Sequence, residues 1–143
     1  MAEMQAVQIE CHLPAPPEVV YRAFTQATAW ESWCCDRARV QAQPGGELRI
    51  ETPGYVAQGV FLSLKPGQAL AFTWHGNGEP PTRVEVDLQA EGVGTRLRFT
   101  VTNLGEAQAW AETRETFESL WGRALANLAR KLRVGFLSSR RDA

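Results

Sequence analysis

The C-terminal part of the chain places a strand-like segment directly before one long amphipathic helix. Residues 94–102 alternate polar and apolar side chains, as a half-buried strand does. From about Glu106 to Arg133, apolar residues recur every three or four positions, which predicts a helix with one buried stripe. That stripe contains Trp110, Phe117, Trp121, Ala124, Leu125, Leu128 and Leu132. A curved sheet closed by such a helix can enclose an apolar interior suited to a small hydrophobic molecule.

Upstream of that helix, the chain alternates short apolar-patterned segments with turn residues. Residues 7–13 predict a first strand, and the prolines that follow predict the start of a short helix that runs to about Gln26. A second short helix is predicted at Ala27–Trp33. The remaining predicted strands cover residues 37–41, 47–51, 55–64, 69–75, 83–89 and 95–102. Short turns favour an antiparallel meander, so the fold class is α+β, with a sheet of six to seven strands.

The domain organisation follows from the same pattern. Residues 1–135 are predicted to form one domain, with Gly135 ending the long helix, and residues 136–143 a loose tail. Gly59 lies inside a predicted strand, which indicates a bulge or a bend.

Composition and charge exclude several classes of function. The chain has 15 Lys and Arg against 16 Asp and Glu, and it has no basic stripe, so we expect no nucleic-acid partner. No apolar stretch is long enough to span a bilayer, and the first residues lack the pattern of a secretory signal. The expectation is therefore a cytoplasmic protein, and the residue usage suggests a bacterial gene.

The three cysteines, Cys11, Cys34 and Cys35, do not form a disulfide framework or a metal site. Their number is odd, two are adjacent, and there is no CxxC spacing for His12 or His75 to complement. We therefore predict no metal and no cofactor. Cys34 and Cys35 follow the aromatic pair Trp30 and Trp33, and they are interpreted as small, partly buried side chains rather than as nucleophiles.

Four segments carry the pattern of a known family. They are residues 17–25 with Trp30 and Trp33, residues 44–46, residues 59–74, and residues 94–97 together with residues 121–128. In order and spacing they resemble the START/Bet v 1-like (SRPBCC) superfamily and, within it, the Aha1-like group, homologues of the activator of Hsp90 ATPase. Leu120 stands where the group's pattern has glycine. The resemblance implies a helix-grip fold, in which a strongly curved sheet wraps around the long helix with a cavity between them.

The candidate ligand-binding residues are the aromatic side chains expected where the helices meet the sheet. They are Trp30, Trp33, Phe72, Trp74, Phe99, Trp110, Phe117 and Trp121, with Arg114 as a polar neighbour. The alternative for the aromatic residues is a solid core. The alternative for Arg114 is an exposed pair with Glu118, one helical turn further on. His75 is interpreted as a residue at the edge of a turn rather than as a catalytic group.

Three functions are consistent with these residues, and the first is favoured. It is the binding of a hydrophobic or aromatic small molecule, including a lipid, in an internal cavity without catalysis. The second, which the resemblance implies, is a co-chaperone-like interaction with an Hsp90-type partner. The third is a polyketide cyclase-like or hydrolase-like enzyme, which would need a His, Asp, Glu or Arg side chain pointing into the cavity, with Arg114 and His75 as the residues to test. Dimers are common among such domains, so a homodimer is one expected assembly.

Overall fold

The computed structural model of this chain describes residues 6–133, which form a curved antiparallel sheet and three helices. The elements are β1 (Ala6–Leu13), α1 (Pro17–Ala23), α2 (Ala27–Trp33), β2 (Arg37–Val40), β3 (Glu47–Thr52), β4 (Tyr55–Lys65), β5 (Ala69–Gly76), β6 (Thr82–Glu91), β7 (Gly94–Asn103) and α3 (Ala107–Arg133). The prediction of an α+β helix-grip fold with two short helices after the first strand is confirmed. The predicted tail at residues 136–143 lies outside the described residues.

The seven strands are arranged in the order β1-β7-β6-β5-β4-β3-β2, and every neighbouring pair is antiparallel. Strands β2 to β7 follow one another as a meander, and β1 joins the sheet beside β7, with Ile9 opposite Phe99. Each of the five connections in this meander contains a glycine with positive φ, a conformation that side chains with a Cβ rarely adopt. These glycines are Gly45, Gly54, Gly67, Gly78 and Gly92.

The β4–β5 hairpin contains the irregularity that Gly59 predicted, but the irregularity is displaced along the strand. The register shifts between Phe61 and Ser63, whereas Gly59 itself makes a close backbone approach to β5. A Cβ at position 59 would lie 1.8 Å from the carbonyl oxygen of Thr73. A glycine is therefore required at position 59, because no side chain fits between the two strands.

The two short helices are held together by their tryptophans. The indole N–H of Trp33 donates to the carbonyl oxygen of Ala23 at 3.0 Å, and that of Trp30 donates to the carbonyl oxygen of Phe24 at 3.0 Å. These bonds give hydrogen-bond donors to two carbonyl groups at the end of α1. The helix ends at Ala23, three residues before the predicted end near Gln26. The two indole rings stack with their centroids 5.1 Å apart, so this corner is a packed aromatic core.

The long helix α3 packs mainly against β1 and α2. Asn127 fastens it to α2 by donating a hydrogen bond from Nδ2 to the carbonyl oxygen of Trp33 at 2.7 Å. The ring of Trp121 reaches the sheet, where its centroid lies 4.7 Å from that of Phe99. No helix within residues 6–133 has both the length and the apolar character needed to cross a membrane.

Candidate functional site

A pocket of about 390 Å³ lies between α3, the end of α2 and one end of strands β3 to β5. We call it the α3 pocket. Its walls are formed by Cys34, Thr52, Tyr55, Trp74, Glu79, Phe117, Leu120, Trp121 and Ala124. Most of this surface is apolar, and the volume falls within the range of sites for small organic ligands, roughly 300 to 1,000 Å³. The pocket is therefore large enough for a molecule of two or three rings.

The position of α3 explains why space remains there. The helix is anchored at β1 on one side and at α2 through Asn127. Strands β3 to β5 lie further across the sheet, since four strands separate β1 from β3, and they make few backbone contacts with the helix. A straight helix cannot follow a strongly curved sheet over its whole width, so a gap remains beneath Phe117, Leu120 and Trp121.

A short hydrogen-bond chain lies in the wall of the α3 pocket. The indole N–H of Trp74 donates to the hydroxyl oxygen of Tyr55 at 3.1 Å, and that hydroxyl donates to Oε1 of Glu79 at 2.7 Å. Gly76 leaves space for these hydrogen bonds, because a Cβ at that position would lie 2.2 Å from the Tyr55 hydroxyl and 2.4 Å from Glu79 Oε1. The hydrogen bonds thus join the start of β4, the end of β5 and the β5–β6 loop at one point.

The Glu79 carboxyl group is partly removed from water. Burial raises its pKa above the ordinary value, although the Tyr55 hydroxyl, the Gly76 amide and, least of all, His75 act in the opposite direction. Burial also raises the pKa of Tyr55, as does its hydrogen bond to Glu79. None of the ion pairs formed among residues 6–133 includes Glu79. The carboxyl group is therefore held by hydrogen bonds and forms no ion pair within the described part of the chain.

Cys34 contributes a neutral thiol to the pocket. Burial, together with the neighbouring Cys35, raises the pKa of Cys34 to about 12, so the reactive thiolate is scarce at neutral pH. All three cysteines are free. Within the described residues no group of three or more His, Cys, Asp or Glu side chains could hold a metal ion. The thiol is thus part of an apolar wall.

The structure brings three of the candidate ligand-binding residues together in the α3 pocket, namely Trp74, Phe117 and Trp121. The ring centroids of Trp74 and Trp121 are 4.9 Å apart, in an edge-to-face arrangement. The other five aromatic candidates are buried in the core and are not part of the pocket lining; they are Trp30, Trp33, Phe72, Phe99 and Trp110. Ligand contact remains a prediction for all eight.

The two polar candidates lie elsewhere. Arg114 donates a hydrogen bond from one terminal nitrogen to the carbonyl oxygen of Ala6 at 3.4 Å, on the edge strand β1. Its Nε is buried and has no hydrogen-bond partner in the structure as described. His75 is exposed, one residue along β5 from Trp74, and alternation therefore directs it to the outer face of the sheet. Neither side chain lines the α3 pocket.

The sequence comparison agrees with the fold. The family described as Activator of Hsp90 ATPase homolog 1-like protein matches residues 14–133, which is most of the chain. This chain belongs to that family. The resemblance to the Aha1-like group is therefore confirmed. A comparison with curated proteins found no match.

Solved structures share the Aha1-like fold at low sequence identity. DynU16, from the dynemicin biosynthetic locus, is 21% identical, with a TM-score of 0.79 over 92% of this chain and 48% of its own. The present chain thus spans about half the length of DynU16. The Aha1 dimer from Colwellia psychrerythraea is 20% identical, with a TM-score of 0.80 over 91% of this chain and 97% of its own. An HSP90 activator from Plasmodium falciparum is 19% identical, with a TM-score of 0.68 over 92% and 96%.

Sequence reasoning about this Aha1-like domain did not identify the polar groups of the pocket. The strand pattern could have indicated that Tyr55 faces inward, because Tyr55 lies two residues from the buried Ala57 and alternation places both on the inner face of β4. Glu79 lies in the β5–β6 loop and has no periodic pattern that would indicate its direction. Leu120 is 44% exposed and forms part of the pocket wall.

Proposed function

We propose that this Aha1-like domain binds an apolar or aromatic small molecule in the α3 pocket. The observation that carries the proposal is the convergence of Trp74, Phe117 and Trp121 on one pocket of about 390 Å³ that is partly open to solvent. These side chains offer ring faces and edges for stacking, and removing apolar surface from water stabilises a complex by roughly 25 cal/mol per Å² before the costs of association. Leu120 adds apolar surface to the same wall.

Two variants of α3 test this proposal directly. Ala124 lines the pocket, whereas Ala126, two residues along the helix, is exposed. Ala124→Phe is expected to fill the pocket, and Ala126→Phe is the matched control that adds the same side chain on the exposed face. Binding is followed with the neutral dye N-phenylnaphthylamine, whose fluorescence rises on transfer to an apolar environment.

The expected result is saturable binding of one dye molecule per chain in the wild type and in Ala126→Phe. Binding to Ala124→Phe is expected to weaken at least about tenfold, because an overfilled site costs 1.4 kcal/mol or more. Thermal unfolding of each variant shows that it is folded. Equal binding by both variants, or no saturable binding by the wild type, would overturn the proposal.

A second candidate function is contact with an Hsp90-type chaperone, and homodimerisation would be compatible with it. Family membership supports this candidate, and the relatives of the same fold include one described as an HSP90 activator and one described as a dimer. The test is the ATPase rate of a bacterial-type Hsp90 with and without this protein, together with light scattering to measure the mass of the assembly. An unchanged ATPase rate and no complex by light scattering would remove this candidate.

Enzymatic activity of a cyclase-like or hydrolase-like kind is less well supported. Arg114 and His75, the two residues named for that role, are absent from the pocket lining, whereas the carboxyl group of Glu79 is part of it. The titratable side chains that do line the pocket are Cys34, Tyr55 and Glu79, and burial raises the pKa of each. The Cys34 thiol and the Tyr55 hydroxyl therefore remain protonated at neutral pH, which leaves the Glu79 carboxylate as the one basic group of the lining, with no second group there to act as its partner in catalysis.

A further inference from the structure

The α3 pocket has an uneven distribution of charge. Of its lining residues, only Glu79 carries a side chain that is anionic at neutral pH, and none carries a cation. The carboxyl group is half-buried and accepts a hydrogen bond from Tyr55, but the ion pairs among residues 6–133 do not include it. A partly buried carboxylate that forms no ion pair costs free energy, which a bound cation would offset.

Aromatic rings are close to this carboxylate. Trp74 is joined to Glu79 through the Tyr55 hydroxyl, and Trp121 packs edge-to-face on Trp74 at 4.9 Å. The faces of Trp and Tyr attract organic cations, by roughly 0.5 to 2 kcal/mol according to how far the cation is desolvated. A single carboxylate beside several aromatic rings is therefore complementary to an ammonium group attached to an apolar body.

The hydrogen-bond chain also fixes the carboxylate. The Tyr55 hydroxyl donates to Oε1 of Glu79 and cannot rotate freely, because it also accepts the Trp74 indole N–H. Gly76 allows this close packing, since any side chain there would collide with both partners. A preorganised acceptor loses little entropy when a donor binds, and this favours selectivity.

We propose that the α3 pocket selects organic cations, namely ligands that combine an aromatic or aliphatic skeleton with a protonated amine that pairs with Glu79. This inference rests on the proposed function, since it specifies the polar end of the ligand that the apolar pocket holds. An anionic ligand is disfavoured by like-charge repulsion, because no Lys or Arg lines the pocket to offset it.

Three probes that share one ring system test the inference. They are naphthylethylamine, naphthylethanol and naphthylacetate, which carry a cationic, a neutral and an anionic end. Each is titrated against the protein with bound N-phenylnaphthylamine, and displacement of the dye gives the dissociation constant. We expect the amine to bind at least about tenfold more tightly than the alcohol, and the acetate to bind most weakly.

Two variants assign the preference to one carboxylate. Glu79→Gln keeps the shape and an acceptor for Tyr55 but removes the charge, and it is expected to reduce the preference for the amine to within about twofold. Glu118→Gln is the matched control, because Glu118 is exposed on α3 beside the pocket residue Phe117 and does not line the pocket. This control should keep the preference of the wild type.

The outcomes separate the two proposals. Equal affinities for all three probes, or tightest binding of the acetate, would overturn the cation preference while the apolar pocket stands. Failure of the dye and of every probe to bind would overturn both. A preference for the amine that persists in Glu79→Gln would also overturn the assignment to Glu79. If Glu79→Gln does not fold, the affinities of the wild type for the amine, the alcohol and the acetate test the cation preference by themselves.

Discussion

The hydroxyl group of Tyr55 lies 2.7 Å from Oε1 of Glu79 and donates a hydrogen bond to it, although the two residues are 24 positions apart. The same hydroxyl accepts the indole N–H of the buried Trp74. One side chain therefore satisfies two others, and the three together form the polar part of the α3 pocket. Their arrangement has consequences for stability as well as for binding.

Replacing Tyr55 by Phe is expected to destabilise the protein by about 1 to 3 kcal/mol. The change leaves the Trp74 indole N–H without its acceptor and Glu79 without its donor, and buried polar groups without partners are costly. Urea unfolding followed by tryptophan fluorescence measures the effect. Tyr21→Phe is the control, because Tyr21 is also half-buried and its hydroxyl makes no hydrogen bond in the described structure. Similar midpoints for the two variants would contradict the role given to the Tyr55 hydroxyl.

Replacing Glu79 by Gln is expected to raise stability more at pH 7 than at pH 4. Because burial raises the pKa of Glu79 in the folded state, folding favours the protonated form. The wild type therefore loses stability as the pH rises from the ordinary carboxyl pKa through the folded-state pKa, and the uncharged Gln avoids this loss. Melting temperatures of both proteins across this pH range provide the measurement.

The control for the Glu79→Gln experiment removes a carboxylate that lies away from the groups around Glu79. The Tyr55 hydroxyl, the Gly76 amide and His75 are the groups that influence its titration. Glu118→Gln, on the exposed face of α3, removes the same charge away from these groups. If the difference between Glu79→Gln and the wild type did not grow between pH 4 and pH 7, burial would not control this carboxyl group.

Two glycines are expected to respond to alanine in opposite directions. In Gly59→Ala the new Cβ would lie 1.8 Å from the Thr73 carbonyl oxygen, so the β4–β5 pairing must shift and stability should fall by several kcal/mol, of the order of 3 or more. In Gly122→Ala the Cβ meets open space in the interior of α3, so stability should rise by about 1 kcal/mol. Thermal and urea unfolding of both variants test the pair, and a change of the same sign in both would refute this account.

Cys34 is expected to react slowly with iodoacetamide in the folded protein. With the pKa raised to about 12, the thiolate fraction at pH 8 is lower than that of a free thiol by a factor of roughly a hundred or more. Mass spectrometry after timed alkylation measures the rate at this site. The denatured protein serves as the control, and it should react rapidly at all three cysteines. Fast labelling of Cys34 under native conditions would show that the thiol is activated instead.

Local patterns in the sequence were sufficient to predict the secondary structure and the core. The alternation of residues 94–102 and the helical spacing from Trp110 to Leu132 report which side chains leave water, and burial follows directly from that periodicity. The glycines in the turns likewise predicted where each hairpin reverses direction. The family resemblance supplied the helix-grip arrangement, which no single segment specifies.

The sequence by itself therefore determined the elements, their buried faces and the aromatic character of the interior. Only the tertiary structure decided which aromatic residues pack as core, such as Trp30, and which line a pocket, such as Trp121. It also decided that Tyr55 meets Glu79. The physical reason is that periodicity fixes the direction of a side chain relative to its own element, whereas a cavity depends on the curvature of the sheet and the position of α3 across it. These are long-range properties, encoded by many weak contacts rather than by any local motif.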